Sequence, residues 1–351
     1  MKKIAYIELD THAEIAANFM DLMQDSSEFS VDYYFSEKIL KQISRTDSNI
    51  FLSDSSKILS QLKEKKYDLV IIGTAHRYFG GFLKITECFN TAVIVHNLNF
   101  AKISRFQLFK NIFKKDFKYR LKLLLKEGLF SAPKVCEKTS NLLVLDESLM
   151  KKNPDLSLKF LPVFYLHEYE KPRKSIITIL IPGAVSQQRR NYLHIFERIR
   201  TFIRNTHFQF VFLGKAAGQE LLWLKDFESK KPQNISLQYF TKKVPQPIFD
   251  EWMRKADILW CPLQKETEFF SQKESYGITK MSGNVGDAIK YGKLAIFPEN
   301  YPNSHPFIIP ENKNVEEEIY TYHKWMGYDF EQNFAKEKVL KYLEGKLTEL
   351  L

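Results

Sequence analysis

Tyr67-Asp68-Leu69-Val70-Ile71-Ile72-Gly73 opens on a polar group, runs through four consecutive aliphatic residues and stops at a glycine. A strand with water on one face alternates apolar and polar positions, so an unbroken run of this kind describes a strand covered on both faces, as in parallel sheets flanked by helices. Thr91-Ala92-Val93-Ile94-Val95-His96 and Asn141-Leu142-Leu143-Val144-Leu145-Asp146 have the same form, the latter leading into a helix near Glu147. Upstream, Ile4 to Leu9 and Val31 to Phe35 read as strands. Ala13 to Met23 and Ser55 to Lys65 read as amphipathic helices, the second with Ser53 or Asp54 as its cap. Strand and helix in alternation predict an α/β, Rossmann-like sheet.

The pattern lapses between Lys159 and Lys174, where Leu161-Pro162-Val163-Phe164 gives way to the polar stretch Glu168 to Lys174 with Pro172, suited to a linker. It then restarts. Ile176 to Ile181, Phe208 to Leu213, Ile235 to Tyr239, Asp257 to Cys261 and Leu294 to Phe297 read as strands; Tyr192 to Arg204, Gln219 to Glu228, Gln246 to Lys255 and Gly283 to Tyr291 read as helices. The 351 residues are enough for two cores. The expected organisation is a Rossmann-like domain over 1–165, a second over 175–310, and a C-terminal helical segment over 311–351. Two such units leave a cleft between them, with ligands at the carboxyl ends of the strands.

Composition narrows the class. Hydrophobic residues at 44% and charged residues at 27% are a globular balance. Cys88, Cys136 and Cys261 are odd in number and not spaced as metal ligands, so neither a disulfide framework nor a zinc site is suggested and a reducing cytoplasm fits. The opening Met1-Lys2-Lys3-Ile4-Ala5-Tyr6-Ile7-Glu8 is broken by charge too soon for a signal peptide, and no run approaches the roughly 20 apolar residues of a membrane span. The expected location is cytoplasmic, with peripheral attachment to the inner face of the plasma membrane open.

The formal charge of +10 is concentrated. Between Ala101 and Phe130 nine basic residues face two acids, and Phe106 to Lys126 projects as one helix with Phe109, Ile112, Phe113, Phe117, Leu121 and Leu124 on one side. Lys114, Lys115, Lys118, Lys122 and Lys126 take the other side, with Asp116 and Arg120 intruding on the apolar one. Residues 102–126 therefore read either as a basic amphipathic helix for an anionic membrane surface or as a helix packing its Phe stripe on the core. No helix-turn-helix spacing or aromatic RNA motif supports nucleic acid as a partner.

Three loops in the second half have ligand-binding chemistry. In Pro182-Gly183-Ala184-Val185-Ser186-Gln187-Gln188-Arg189-Arg190-Asn191, a small residue after a strand lets backbone approach a ligand. The paired guanidiniums before the next helix can neutralise a diphosphate. Gly214-Lys215 follows the next strand in the same way. The richest segment runs from Lys273 to Lys293. Tyr276, Gly277, Thr279, Lys280, Ser282 and Gly283 precede a helix whose first turn is read as including Asp287, a set able to cradle phosphate and accept from a ribose diol.

These motifs resemble the retaining GT-B glycosyltransferases of the large family that includes sucrose synthases and bacterial surface-polysaccharide enzymes. The resemblance rests on Gly183 with Arg189, Gly214, the run Ala256-Asp257-Ile258-Leu259-Trp260-Cys261-Pro262, the turn Glu274-Ser275-Tyr276-Gly277, and Asp287 five residues before Gly292. It implies a GT-B fold, two Rossmann-like domains facing across a cleft. The implied roles put Glu274 on the donor sugar, Asp287 on the ribose, and Arg189 with the amides near Ser282 on the diphosphate. The implied activity is transfer from a nucleotide-sugar donor to a glycan or lipid-linked acceptor in surface-polysaccharide synthesis (lipopolysaccharide, O-antigen or capsule), with retention. The chain departs from the family in having Ala184 where an arginine is usual, Asp in place of the second Glu, and a stretched spacing between the acids, so Lys280 or Arg190 would supply the missing cation.

In the first half, His12 with Glu14, His76 with Arg77, and His96 with Asn97 lie at strand ends. His96 ranks first and His12 second as cleft residues beside Glu274. No Asp-x-Asp pair occurs, so neither a metal nor a cofactor is called for; the nucleotide sugar is a substrate. The competing readings are a sugar-nucleotide epimerase of the same fold and a non-catalytic membrane- or nucleic-acid-binding protein.

Overall fold

In the computed structural model, which describes residues 1–167, 176–324 and 327–351, the apolar runs form the central strands of two parallel sheets. The first contains β1 (Lys2–Glu8), β2 (Phe29–Phe35), β3 (Ile50–Leu52), β4 (Leu69–Ile72), β5 (Thr91–Ile94), β6 (Asn141–Val144) and β7 (Leu158–Phe160). Their order is β3-β2-β1-β4-β5-β6-β7. The second contains β8 (Ile177–Pro182), β9 (Phe208–Lys215), β10 (Ile235–Phe240) and β11 (Ile258–Trp260). After a separate hairpin of β12 (Glu266–Phe269) and β13 (Gln272–Ser275), it is completed by β14 (Ala295–Phe297) and β15 (Ile308–Pro310), in the order β10-β9-β8-β11-β14-β15.

Leu69, Val70, Ile71 and Ile72 are all fully buried because β4 has strands on both edges and helices on both faces. Each such side chain contributes about 1.5–3 kcal/mol of burial. In the second sheet, β8 and β11 are adjacent although helices and two strands separate them in sequence. Strand order reverses there, the place where open α/β sheets form their ligand crevice. The two-domain Rossmann-like reading therefore holds.

Several sequence expectations are corrected. The helix expected over Ser55 to Lys65 is only Ile58–Lys63, because Asp54 Oδ1 accepts from the amides of Ser56 (2.8 Å) and Lys57 (3.1 Å) and holds those residues in a turn. Phe106 to Lys126 is two helices, Arg105–Ile112 and Phe117–Glu127, broken at Asp116, which takes a left-handed backbone at φ 49°. Lys273 to Ser275 is a strand of the hairpin and not part of a loop. The linker expected at Glu168 to Lys174 lies outside the described residues.

The last segment divides between the halves. Helix Val315–Lys324 puts Val315 and Ile319 into the second core, whereas helix Lys336–Thr348 returns to the first, burying Val339, Leu343 and Leu347 against it. Ser26 Oγ donates to Glu344 Oε1 at 2.6 Å and Lys336 pairs with Asp25 at 2.5 Å, fixing that return.

Candidate functional site

The donor-side expectations meet where β8, β9 and helix Gly283–Tyr291 converge. Gly183 has φ 104°, and a Cβ on it would lie 2.4 Å from Arg190 Nη2, so the arginine can cross the loop only because the side chain is absent. A Cβ on Gly214 would lie 2.1 Å from the Gly183 carbonyl oxygen, so the two loops pack backbone to backbone. Lys215 ends β9 with its side chain exposed. The Arg190 guanidinium donates from Nη2 to Asn284 Oδ1 (3.1 Å), and Asn284 Nδ2 donates to Asp287 Oδ2 (3.1 Å). Arg190 Nε is buried with no hydrogen-bond partner among the described residues. An orphan donor on a buried cation is the kind of vacancy an anionic ligand fills.

Ser282 caps the helix, its Oγ accepting from the Asn284 amide at 3.3 Å, and Gly283 is exposed with open space where a side chain would be. Asp287 is not in the first turn, as the sequence suggested: the helix begins at Gly283, which makes Asp287 its fifth residue. Burial pushes its carboxyl up to about 6, against the lowering effects of Asn284, Lys290 and Arg190.

The paired arginines diverge. Whereas Arg190 turns inward, Arg189 faces a cavity of about 570 Å³ walled by Asp116, Arg120 and the hairpin residues Phe269 to Ser271. The Arg190–Asn284–Asp287 group does not line that cavity.

Segment 273–280 reaches the other half. Glu274 is fully buried, and its carboxylate accepts from the amides of Asn99 (3.2 Å) and Phe100 (2.9 Å) at the start of helix Leu98–Ala101. In this arrangement it presents no oxygen to the gap, contrary to the sugar contact that the resemblance implies. Burial raises its pKa, partly offset by Thr279 and the two amides. The Thr279 carbonyl accepts from the Leu98 amide at 2.9 Å. Gly277 makes the turn at φ 74°, with Tyr276 bridged to Lys280 across it. Lys280 Nζ donates to Asn97 Oδ1 at 2.6 Å, and burial brings its pKa down to about 8.

The three histidines, separate in sequence, form one cluster. The ring of His12 stacks on His96 with centroids 3.9 Å apart, and His76 stands 5.7 Å from His96. His96 Nε2 donates to the Gly73 carbonyl (2.9 Å), and burial pushes its pKa well below the ordinary value. His76 accepts from Asn97 Nδ2 (3.1 Å), lies against Phe269, and is pushed down by burial to about 3. Arg77, paired with His76 in the sequence reading, instead binds Glu127, with its Nε at 3.0 Å. His12 has a left-handed backbone, and its Nδ1 donates to Glu14 Oε1 (3.0 Å).

Sequence reasoning missed the hairpin and Asn284. The hairpin carries Phe269 onto His76 and Phe270 onto Arg120. Asn284 lies within the segment singled out, but an Asn there signals only a cap until Arg190 is seen to reach it.

No family model matches the chain, and no curated protein matches it. Solved structures do. The lipopolysaccharide outer core galactosyltransferase WaaB in its apo form superposes with a TM-score of 0.58 at 12% identity, covering 99% of this chain and 100% of that one. Anabaena HepE in complex with UDP-glucose gives 0.58 at 10% identity, over 99% and 100%. UDP-GlcNAc 2-epimerase from Neisseria meningitidis bound to UDP-GlcNAc gives 0.53 at 11% identity, over 99% and 100%. At such identities the likeness is one of architecture, and it is end to end: this chain has the GT-B fold, two Rossmann-like units facing across a cleft.

Proposed function

We propose that the protein is a glycosyltransferase that moves a sugar from a nucleotide-sugar donor to a glycan or lipid-linked acceptor, in the synthesis of a bacterial surface polysaccharide such as lipopolysaccharide, O-antigen or capsule. The observation that carries this reading is the Arg190 guanidinium, threaded over Gly183 onto Asn284, which in turn bonds Asp287, with one buried N–H of the guanidinium unpaired. A diphosphate beside Gly183 and the amide end of helix Gly283–Tyr291 would complete that donor's hydrogen bonding. Lys280, whose Nζ bonds Asn97 of the other half, would supply a second cation, and Asp287 would accept from the ribose. Two structural neighbours hold a UDP-sugar, which agrees with a nucleotide-sugar donor for this chain.

The acceptor side faces an unusual surface. Phe106, Phe109, Phe113 and Phe117 are 45–65% exposed, and centroid distances of 5.3 and 5.6 Å link Phe109, Phe113 and Phe117 into a ladder flanked by Lys110, Lys114 and Lys118. Of the apolar side read from the sequence, Ile112 and Leu124 pack into the core, whereas the Phe rings stand exposed. Apolar rings beside lysines suit the interface of an anionic bilayer, where a lipid-linked acceptor resides. Among the described residues no helix is long and apolar enough to cross a membrane.

The test is release of nucleoside diphosphate from a panel of nucleotide sugars with and without a membrane lipid extract. A transferase requires the extract. Turnover of equal rate without it favours the epimerase reading, which the third structural neighbour keeps alive. No turnover under either condition removes the enzymatic reading.

A further inference from the structure

The cavity of about 570 Å³ that Arg189 faces is walled by three pieces of chain that meet only in the folded protein: the loop after β8, the hairpin of β12 and β13, and the break between helices Arg105–Ile112 and Phe117–Glu127. Its charged lining divides into pairs and a remainder. Lys115 bonds Glu268 at 2.7 Å and Lys273 bonds Glu266 at 3.1 Å, so those charges offset one another. Arg120, Arg189 and Asp116 are left over.

Arg120 is 5% exposed, and burial lowers its pKa. Its Nη1 donates to the Asn111 carbonyl and to Ser271 Oγ (2.8 Å), and its guanidinium lies 4.5 Å from the centroid of the Phe270 ring. All three partners are neutral. Asp116 and Glu268 act on Arg120 only through space: among the described residues no carboxylate bonds it, and its Nε and Nη2 have no hydrogen-bond partner. Arg189 is held through its backbone alone, its amide donating to the Ser186 carbonyl and its carbonyl accepting from the Gln264 amide, both at 3.0 Å; among the described residues its guanidinium has no partner. A guanidinium taken out of water without a carboxylate is a costly arrangement. Two of them lining one cavity with unused N–H groups suit the oxygens of a phosphoryl group, which such forks bind in pairs of hydrogen bonds.

The surroundings place this anion site between the donor groups and the exposed rings. Arg189 is next to Arg190 in the chain, and the pKa of Lys280, brought down by burial, is lowered further by the charge of Arg189, so the cavity is within electrostatic reach of the cations proposed for the donor diphosphate. Phe269 of its wall lies 4.3 Å from the ring of His76. On its rim, Lys115 and Asp116 fall between Phe113 and Phe117, the exposed rings that stack at 5.6 Å.

We propose that this cavity is an acceptor subsite that recognises a phosphoryl group carried by the acceptor, with Arg120 and Arg189 as the residues that read it. This rests on the glycosyltransferase reading and moves Arg189 from the donor diphosphate, where the sequence resemblance puts it, to the acceptor. The phosphoryl group is either the one that joins a lipid to its glycan or one borne by the glycan itself. Both present the same oxygens to the two guanidiniums.

Titration calorimetry on the full chain uses geranyl phosphate and glucose 6-phosphate as probes, with geraniol and glucose as their neutral counterparts. At least one ester should bind saturably with a Kd below about 1 mM, and its neutral counterpart at least about 10-fold more weakly. Binding of the geranyl ester alone makes the lipid the source of the phosphate; binding of the sugar ester alone makes it the glycan. Arg120→Met and Arg189→Gln should each weaken the ester at least about 10-fold. Arg189→Gln keeps the test decisive if Arg120→Met loosens the hairpin, because no contact within the described residues depends on the Arg189 guanidinium. In turnover with a membrane lipid extract, the same variants should raise the extract needed for half-maximal rate about 10-fold while the donor KM stays within about twofold. Equal binding of esters and neutral counterparts, or no saturable binding of either ester, overturns the subsite and leaves the transferase reading intact. An ester whose binding falls in Arg190→Met and not in the two cavity variants sits at the donor site and also overturns it. No turnover by the unaltered chain with any nucleotide sugar removes the transferase reading, and the acceptor role of the cavity with it, even where an ester binds.

Discussion

Lys280 of the C-terminal half and Asn97 of the N-terminal half share a 2.6 Å hydrogen bond from Nζ to Oδ1, and that bond decides which way the Asn97 amide faces. With Oδ1 taken by an ammonium, Nδ2 must be the atom directed at His76, so the cation of one half orders the histidine cluster of the other.

The lowered pKa of Lys280, about 8, gives a first expectation. The ammonium persists below that value and is lost as pH rises through it, so nucleoside diphosphate affinity should fall between pH 7 and 9. Lys280→Arg should flatten the profile. Lys280→Met should weaken binding at pH 7 by about 10–100-fold, as expected for a charge-assisted hydrogen bond of about 1.5–3 kcal/mol. Calorimetric titration across pH measures both, and an unchanged affinity in Lys280→Met would remove this cation from the site.

Glu274 makes a different demand. Its carboxylate serves two amides of helix Leu98–Ala101 from a fully buried position, so Glu274→Ala should lower unfolding stability by roughly 2–4 kcal/mol in addition to any loss of activity. Glu274→Gln, which keeps one acceptor oxygen, should lose less. Chemical denaturation measures it; wild-type stability in the alanine variant would show the amides are satisfied otherwise.

For the aromatic and basic surface, each cation near an anionic bilayer is worth about 1 kcal/mol. Reversing Lys114, Lys118 and Lys122 to Glu should therefore cut partitioning onto phosphatidylglycerol vesicles at least 100-fold. Phe113→Ser with Phe117→Ser should also weaken it without lowering the melting temperature, because both rings are exposed. A sedimentation assay showing unchanged partitioning would count against membrane docking.

Glu8 supplies a stability test. Burial pushes its pKa up to about 7, despite hydrogen bonds from Thr74 and the Asp10 and Thr11 amides that favour the charged form. The folded state thus holds a proton that the unfolded chain releases near 4.5, and this contribution to stability declines as pH rises from about 4.5 to 7. The change is at most about 3 kcal/mol. Glu8→Gln should flatten that part of the curve, read as melting temperature against pH; an unaltered slope would assign it elsewhere.

The parts of the fold legible in sequence are those where local pattern and tertiary environment agree. Helices Ala13–Met23, Gln246–Lys255 and Gly283–Tyr291 have the bounds their periodicity indicates, and the doubly covered strands stand out because burial on both faces erases alternation. The hairpin was invisible because its strands are short and charged and its turn residues, Phe270 and Ser271, have φ of 51° and 56° without the Asn-Gly signature such turns favour. The fold imposes the turn: Asn111 Nδ2 donates to the Phe270 carbonyl at 3.0 Å, and Arg120 donates to Ser271 Oγ at 2.8 Å. The break at Asp116 is similarly unannounced. Helix Lys336–Thr348 shows its apolar face at Val339, Leu343 and Leu347, but periodicity does not say which half that face will cover. Within the site, the glycines and arginines were legible as residue types, whereas the divergence of Arg189 from Arg190 and the meeting of three distant histidines depend on topology.

The central claim is that the gap between the halves grips a diphosphate through Arg190, and titration calorimetry tests it most directly. UDP, GDP, ADP, CDP and dTDP are titrated into the full chain and into Arg190→Met. At least one should bind the unaltered chain saturably, with a Kd below about 1 mM and a weakening of at least 10-fold in the variant. No saturable heat from any of the five, or equal affinity in the variant, would contradict the claim.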